Sequence, residues 1–199
     1  MTPNTSSSQA GQDEGELGSA PTAIQWRPAT SSDLEDMAKL EADLFPVDAW
    51  SIEVFQQEFD LVPETRSYWV GREVPRDPLD ALDHDGSGPL VGYAGISFLG
   101  PESEIMTFAI TRSHQGQGLG TQFLKKLVNL ARVHECKQMF LEVRADNNAA
   151  FALYNRAGFI EGERRKRYYN DGVDAILMSK DLGYEDHHGL KSTDQNSAS

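Results

Sequence analysis

The stretch Gln115-Gly116-Gln117-Gly118-Leu119-Gly120-Thr121 combines three glycines with the start of an amphipathic run over 121–134. Glycine lets the main chain approach a ligand closely, and the N–H groups of a first helical turn point at an anion. An apolar run over 105–110 precedes the glycines, so the order is strand, tight turn, helix, which is a phosphate-binding geometry. Spacing excludes two familiar users of it. A P-loop requires Lys-Ser/Thr after its last glycine, where this chain has Thr121-Gln122, and a dinucleotide-binding turn requires G-x-G-x-x-G, whereas Gly116, Gly118 and Gly120 run G-x-G-x-G. A second group able to do chemistry follows at Glu142, Asn147 and Tyr154. As residues alone they have plainer readings. Glu142 shares a strand face with Phe140 and Arg144, where a solvated or arginine-paired carboxylate is ordinary. Asn147 stands where a helix N-cap would stand. Tyr154 follows Phe151 by three on a helix face, where aromatic rings usually pack.

The elements that must position these residues can be read from periodicity. Residues 23–27 make a short strand. Ser32 and Glu35 have capping-box spacing, and Leu34, Met37, Ala38, Leu40, Glu41 and Leu44 then recur at helical spacing before Pro46. Ser51 caps a second short helix carrying Ile52, Phe55 and Phe59, closed by Pro63. Residues 68–72 read as a strand, and 73–89 as an acidic loop insertion rich in Pro, Gly and Asp. A strand over 90–99 contains Gly92 and Gly95, which predict close backbone packing or a bulge. It forms a hairpin with 102–110 through Gly100-Pro101. After the glycine turn, Phe123, Leu127, Leu130 and His134 form one helical stripe, widened by Leu124, Val128 and Ala131. A strand over 138–143 follows, then a helix opened by Asn147 and Asn148 and stopped by Gly158. Strands over 159–169 and 175–180 complete a mixed α/β sandwich. Residues 1–22 and 182–199 are polar and are expected to be disordered tails. Residues 23–181 are expected to be one domain without internal repeats.

Gln115, Gly118 and Gly120 fill the fixed places of Arg/Gln-x-x-Gly-x-Gly/Ala, and the turn resembles motif A of the GNAT acyltransferases. Leu141-Glu142-Val143-Arg144, Asn147, Ala150, Leu153-Tyr154 and Gly158-Phe159 together resemble the L-E-V-R-x-x-N-x-x-A-x-x-L-Y-x-x-x-G-F signature of RimI-type acetyltransferases, which acetylate the N-terminal alanine of a small-subunit ribosomal protein. Trp50-Ser51 with Phe55, Arg167-Tyr168-Tyr169 and Asp174-Ala175 extend the resemblance over 23–181. The stretch 46–50 is looser than the family's Pro-Trp-Ser, and 73–89 and both tails lie outside the family core. The resemblance implies a GNAT fold with helices on both faces of a mixed central sheet that is splayed between its fourth and fifth strands. It implies acetyl-CoA as cosubstrate and no metal. Residues 115–121 would hold the pyrophosphate by their amides, and the backbone of Phe108, Ala109 and Ile110 would pair with the pantetheine arm. The N–H of Ile110 would face the oxyanion. Asn147 and Tyr154 would lie against the pantetheine or acetyl region. Glu142 is then the candidate base, with Glu104 as runner-up, and Tyr154 the candidate acid for the leaving thiolate. Trp50, Arg167, Tyr168 and Tyr169 would shape the peptide groove. An α-amine, pKa about 7.7–8.0, loses its proton at pH 7 for roughly 1 kcal/mol, against nearly 5 for a lysine at about 10.4. A carboxylate acting through water suffices for the former.

Composition narrows the alternatives. With 199 residues, 39% of them hydrophobic, the chain can bury one full core. Of the formal charge of −13, residues 1–22 carry −3, residues 73–89 carry −4 and residues 183–199 carry −2, leaving −4 for the rest. No basic stripe is dense enough to track a nucleic-acid backbone, so direct nucleic-acid binding is not expected. Cys136 is the single cysteine, which rules out an intramolecular disulfide or a cysteine-based metal cluster and fits a reducing compartment. Residues 1–22 lack the pattern of a secretory signal, and no apolar run approaches the ~18 residues of a membrane span, so the cytoplasm is expected. His187-His188 and His114 have no evident metal partners. Cys136 reads as a small buried hydrophobe. Two other readings remain: a GNAT enzyme for a lysine side chain or a small amine, and a non-catalytic acyl-CoA-binding module. Retention of Glu142 and Tyr154 argues against the module.

Overall fold

A computed structural model describes residues 22–77 and 87–183; the two expected tails, apart from 22, 182 and 183, His187-His188 and the middle of the acidic segment lie outside these residues. Seven strands form one sheet: β1 (Thr22–Pro28), β2 (Arg66–Pro75), β3 (Leu90–Leu99), β4 (Glu102–Ile110), β5 (Gln138–Arg144), β6 (Ile160–Arg165) and β7 (Ala175–Asp181), in the order β1-β2-β3-β4-β5-β7-β6. Neighbours are antiparallel except β4 and β5. Helices α1 (Leu34–Leu44) and α2 (Ile52–Phe59) cover one face; α3 (Leu119–Val133) and α4 (Asn148–Arg156) cover the other.

The two apolar stripes decide this layering. Leu34, Met37 and Leu40 of α1 and Phe55 of α2 bury against Tyr68, Val70 and Tyr93. Phe123, Leu124, Leu127, Val128 and Ala131 of α3 bury against Met139, Leu141 and Val143, the inward side of β5. Each large side chain so buried contributes about 1.5–3 kcal/mol. Close packing at the two strand glycines is real. A Cβ on Gly95 would meet the Tyr68 ring at 2.3 Å, and one on Gly92 would meet the Ala109 carbonyl oxygen at 2.5 Å. A register shift at Gly95/Ile96 adds the bulge.

Four expectations need correction. The helix start is built on Asp33, whose carboxylate accepts the Thr30 N–H at 2.8 Å, while the Ser32 hydroxyl pairs with that of Thr30, so the Ser32–Glu35 box does not form. Strand β2 runs on to Pro75, because Glu73 and Val74 find partners in β1, so the first residues of the expected loop are strand. β6 ends at Arg165, not at 169: Arg167 takes φ 52°, its N–H bonds Asp174, and Tyr169 and Val173 close a turn. Leu182, assigned to the polar tail, is buried, with its N–H on the Lys137 carbonyl.

A cluster of charge fastens the β1–α1 connection to β2. Asp33 is 2% exposed and accepts Arg27 at 2.7 and 2.9 Å and Arg72 at 2.8 and 3.0 Å. Burial pushes its carboxyl up, but the hydrogen bonds from Arg27, the Thr30 N–H and Arg72 outweigh that and hold it well below the usual carboxylate range.

Candidate active site

The site begins where two parallel strands part. β4 and β5 pair over four residue pairs, from Glu102↔Gln138 to Ile105↔Leu141. β4 then runs on to Ile110 and β5 to Arg144, with no further pairing between them; β5 keeps β7 as its partner up to Arg144↔Ala175. Between the separated ends lies a cleft of about 380 Å³. Its walls are Met106, Thr107 and Phe108 of β4; Glu142, Val143 and Arg144 of β5; Asn147, Ala150 and Tyr154 around α4; the segment 44–48 with Trp50; and Tyr169.

Main-chain orientation along β4 follows from one bond. The Thr111 N–H bonds the Val91 carbonyl at 2.8 Å, so strand alternation turns Ala109 toward β3 and directs Phe108 and Ile110 away from it, to the vacated edge. The Ile110 carbonyl there accepts the Gln115 side-chain amide at 2.9 Å, which pins the glycine turn to the strand end. Gly116 and Gly118 take φ 74° and 80°, and a Cβ at either would meet nothing within 4 Å. Gly118 is the N-cap of α3 and offers no side-chain cap, so the first-turn amides of Leu119, Gly120 and Thr121 carry no side-chain acceptor. That cradle fits a pyrophosphate.

Asn147 caps α4, its side-chain oxygen accepting the Ala150 N–H at 3.0 Å, and Gly158 ends the helix at φ 86°. This places Tyr154 at the cleft, its ring edge-on to Phe108 and Phe159. Burial, then the Tyr169 hydroxyl, pushes the Tyr154 hydroxyl well above the phenol range. Burial likewise pushes Tyr169 up to about 12. Glu142 also lines the cleft and is bonded to Arg165 of β6. A hydrogen bond to Glu142 pushes the Tyr168 hydroxyl up, and the Arg165 guanidinium lies over the Tyr168 ring. Glu104 lies beside Phe140; burial and the Glu142 charge push its carboxyl up.

The structure thus brings Glu142, Asn147, Tyr154, Phe108, Trp50 and Tyr169 to one cleft. Arg167, Tyr168, Ala109, Ile110 and 115–121 do not line it, the glycine turn standing beyond the end of β4. Two features escape a reading of the sequence. Arg144 pairs with Asp48, Asp146 and Asp171 at 3.2, 3.0 and 2.6 Å and stacks on Tyr169, while Asp48 also accepts the Asn170 N–H at 3.1 Å. This clasp ties the loop before α2 to the turn before β7. Glu41, buried on α1, also lines the cleft. Its signal was present, since an acidic residue on an otherwise apolar helical stripe requires a buried partner.

Comparison with known proteins gives the same family from independent grounds. The chain is 37% identical over 160 residues to the N-alpha-acetyltransferase RimI of Mycobacterium tuberculosis, covering 77% of this chain and 90% of that protein. It is 29% identical to a putative ribosomal protein bS18-alanine N-acetyltransferase of Bacillus subtilis, covering 73% of this chain and 87% of that one. The crystal structure of the ribosomal-protein-S18-alanine N-acetyltransferase from Escherichia coli shares the fold, with a TM-score of 0.67 and 24% identity over 83% of this chain and 98% of that one. Residues 34–159 match the model of the acetyltransferase (GNAT) family. The chain belongs to the GNAT family and is an acetyl-CoA-dependent N-acetyltransferase of the RimI type.

Proposed function

We propose that this enzyme moves acetyl from acetyl-CoA directly to the α-amine of a protein N-terminus in the cytoplasm, with an N-terminal alanine of a small-subunit ribosomal protein as the acceptor. The observation that carries this reading is the parting of β4 and β5, which leaves a free main-chain edge on one side and Glu142, Asn147 and Tyr154 on the other. The names of the bacterial relatives support the acceptor.

Acetyl-CoA supplies the acyl group and a thiolate that can leave. The first-turn amides of α3 hold its pyrophosphate, and the outward groups of Phe108 and Ile110 receive the pantetheine arm as an added strand. The Ile110 N–H is turned to the same vacated edge as Phe108, where a fixed main-chain donor would stabilise charge developing on the oxyanion. Glu142, kept in place by Arg165, takes the proton that the ammonium must shed, directly or through one water. Tyr154 meets the sulfur as negative charge collects there. Trp50 and Tyr169 flank the incoming chain end, held by the Asp48–Arg144 clasp.

Incubation with acetyl-CoA and two peptides tests this reading, one with a free N-terminal Ala and no lysine, the other N-terminally blocked with a free Lys. Thiol release is expected with the first. Release with the second alone overturns the α-amine reading, and coenzyme binding without thiol release from either peptide favours a non-catalytic module.

A further inference from the structure

Glu41 has no part in the chemistry above, yet it is 4% exposed and reaches the cleft. Its partners are neutral. One carboxylate oxygen accepts the Trp50 N–H at 3.3 Å, and the other accepts the Tyr93 hydroxyl. The Tyr93 hydroxyl in turn accepts the Thr107 hydroxyl at 3.2 Å. The result is an unbranched chain from Thr107 through Tyr93 to Glu41, met from the other side by Trp50. It crosses β4, β3, α1 and the segment entering α2. Both ends are cleft walls: Thr107 lies in the part of β4 that β5 has left, and Trp50 closes the loop on the acceptor side.

Every donor along this chain points toward the carboxylate. A carboxylate accepts from both Trp50 and Tyr93 at once, one oxygen for each. A buried carboxylate without a cation is costly, and burial pushes the Glu41 carboxyl up. A leucine or methionine would pack the α1 stripe without a buried carboxylate but would leave the Trp50 N–H and the Tyr93 hydroxyl without this acceptor, so what distinguishes the residue is the two groups it joins. We propose that Glu41 is a positioning residue that straps the acceptor-side wall, through Trp50, to the unpaired stretch of β4, through Tyr93 and Thr107, and so sets where the incoming amine meets the acyl donor. This rests on the acetyl-transfer reading above.

Steady-state kinetics on Glu41→Gln, Tyr93→Phe and the double variant test it, using whichever of the two peptides the wild-type enzyme acetylates. An amide at 41 offers one oxygen in place of two, so one of the two contacts is broken or its direction reversed, and Tyr93→Phe removes the middle of the strap. Glu41→Gln should raise the acceptor KM about tenfold, the scale of one hydrogen bond to a charged group, and leave the acetyl-CoA KM within about twofold. Tyr93→Phe should act in the same direction, and the double variant should be no worse than the poorer single one, because both cut one chain. A purely structural role would lower Tm and leave the KM values of the folded enzyme unchanged. Unchanged acceptor KM, a joint rise in both KM values, or effects that multiply would each overturn the strap. If Glu41→Gln fails to fold, Tyr93→Phe alone decides on the same criterion. Hydrogen exchange reads the strap without turnover: amides over 45–50 should exchange faster in Glu41→Gln while those of β5 do not, and equal rates overturn it. Failure of the α-amine reading shows instead as use of the wrong peptide by the wild-type enzyme.

Discussion

Burial, with the Tyr169 hydroxyl adding to it, keeps the Tyr154 hydroxyl protonated far above neutral pH. A thiolate of pKa near 8.5 is the weaker base of the pair, so complete proton transfer to it is uphill. On the proposed mechanism, the gain from Tyr154 is therefore a hydrogen bond that strengthens as the sulfur becomes an anion, with the proton following from solvent. A donor of this kind acts on the transition state more than on the bound ground state. Tyr154→Phe should lower kcat by about 10- to 100-fold, with acetyl-CoA affinity within about threefold of wild type by calorimetry. An unchanged kcat would remove Tyr154 from the reaction. At this scale the sequence is unevenly legible. Asn147 can be recognised as a cap because its partner, the Ala150 N–H, is three residues away. Glu41 shows only as a member of the α1 stripe, because Tyr93 lies 52 residues further on. The partners of Arg144 at Asp48 and Asp171 are hidden for the same reason.

The glycine turn belongs to the scale of elements. Gly118 sits at φ 80°, ψ −3°, where an L side chain costs about 1–2 kcal/mol. Gly118→Ala should therefore relax the turn toward negative φ and swing the α3 amides off the proposed phosphate site. The expected result is a rise in acetyl-CoA KM of about tenfold or more with the acceptor KM little changed, and equal shifts in both would contradict the assignment. Elements whose signals are local are legible to within a residue or two. α4 has its cap and its stop at both ends, and the hairpin of β3 and β4 has Gly100-Pro101 between strands of matched length. β6 reads too long because the basic run over 163–169 contains no Gly, Pro or Asn to mark a stop, while the residue at which the chain turns, Arg167, is held by an acceptor at Asp174. The parting of β4 from β5 is not written in either strand. It enters through family resemblance, since parallel pairing joins residues far apart in the chain.

On the scale of the molecule, the Asp33 cluster joins β1, the start of α1 and β2. Replacing Asp33 by Asn leaves the Arg72 guanidinium, 7% exposed, with part of its charge uncompensated. Removing one partner of a buried pair costs about 3–5 kcal/mol, and urea unfolding should show a loss of that order. The sign with pH follows from the depressed Asp33 carboxyl. Its contribution is complete above the unfolded aspartate value of about 3.9 and is lost as pH falls below it toward the folded value. The stability difference between wild type and Asp33→Asn should accordingly narrow on acidification below about pH 4. A difference that stays constant, or grows, would assign the stabilisation elsewhere.

The four residue pairs between β4 and β5 stand at the narrow end of a wedge, and the Asp48–Arg144 contact ties the far end of β5 to the loop before α2. On the proposed mechanism such an object works as a spring clip, with the acyl carrier lying along one jaw and Glu142 mounted on the other. The gap between them is governed by how far the narrow end is zipped. Adding or removing one rung there would reset the reaction distance for every acceptor at once, whereas changes to the lining can alter it only acceptor by acceptor.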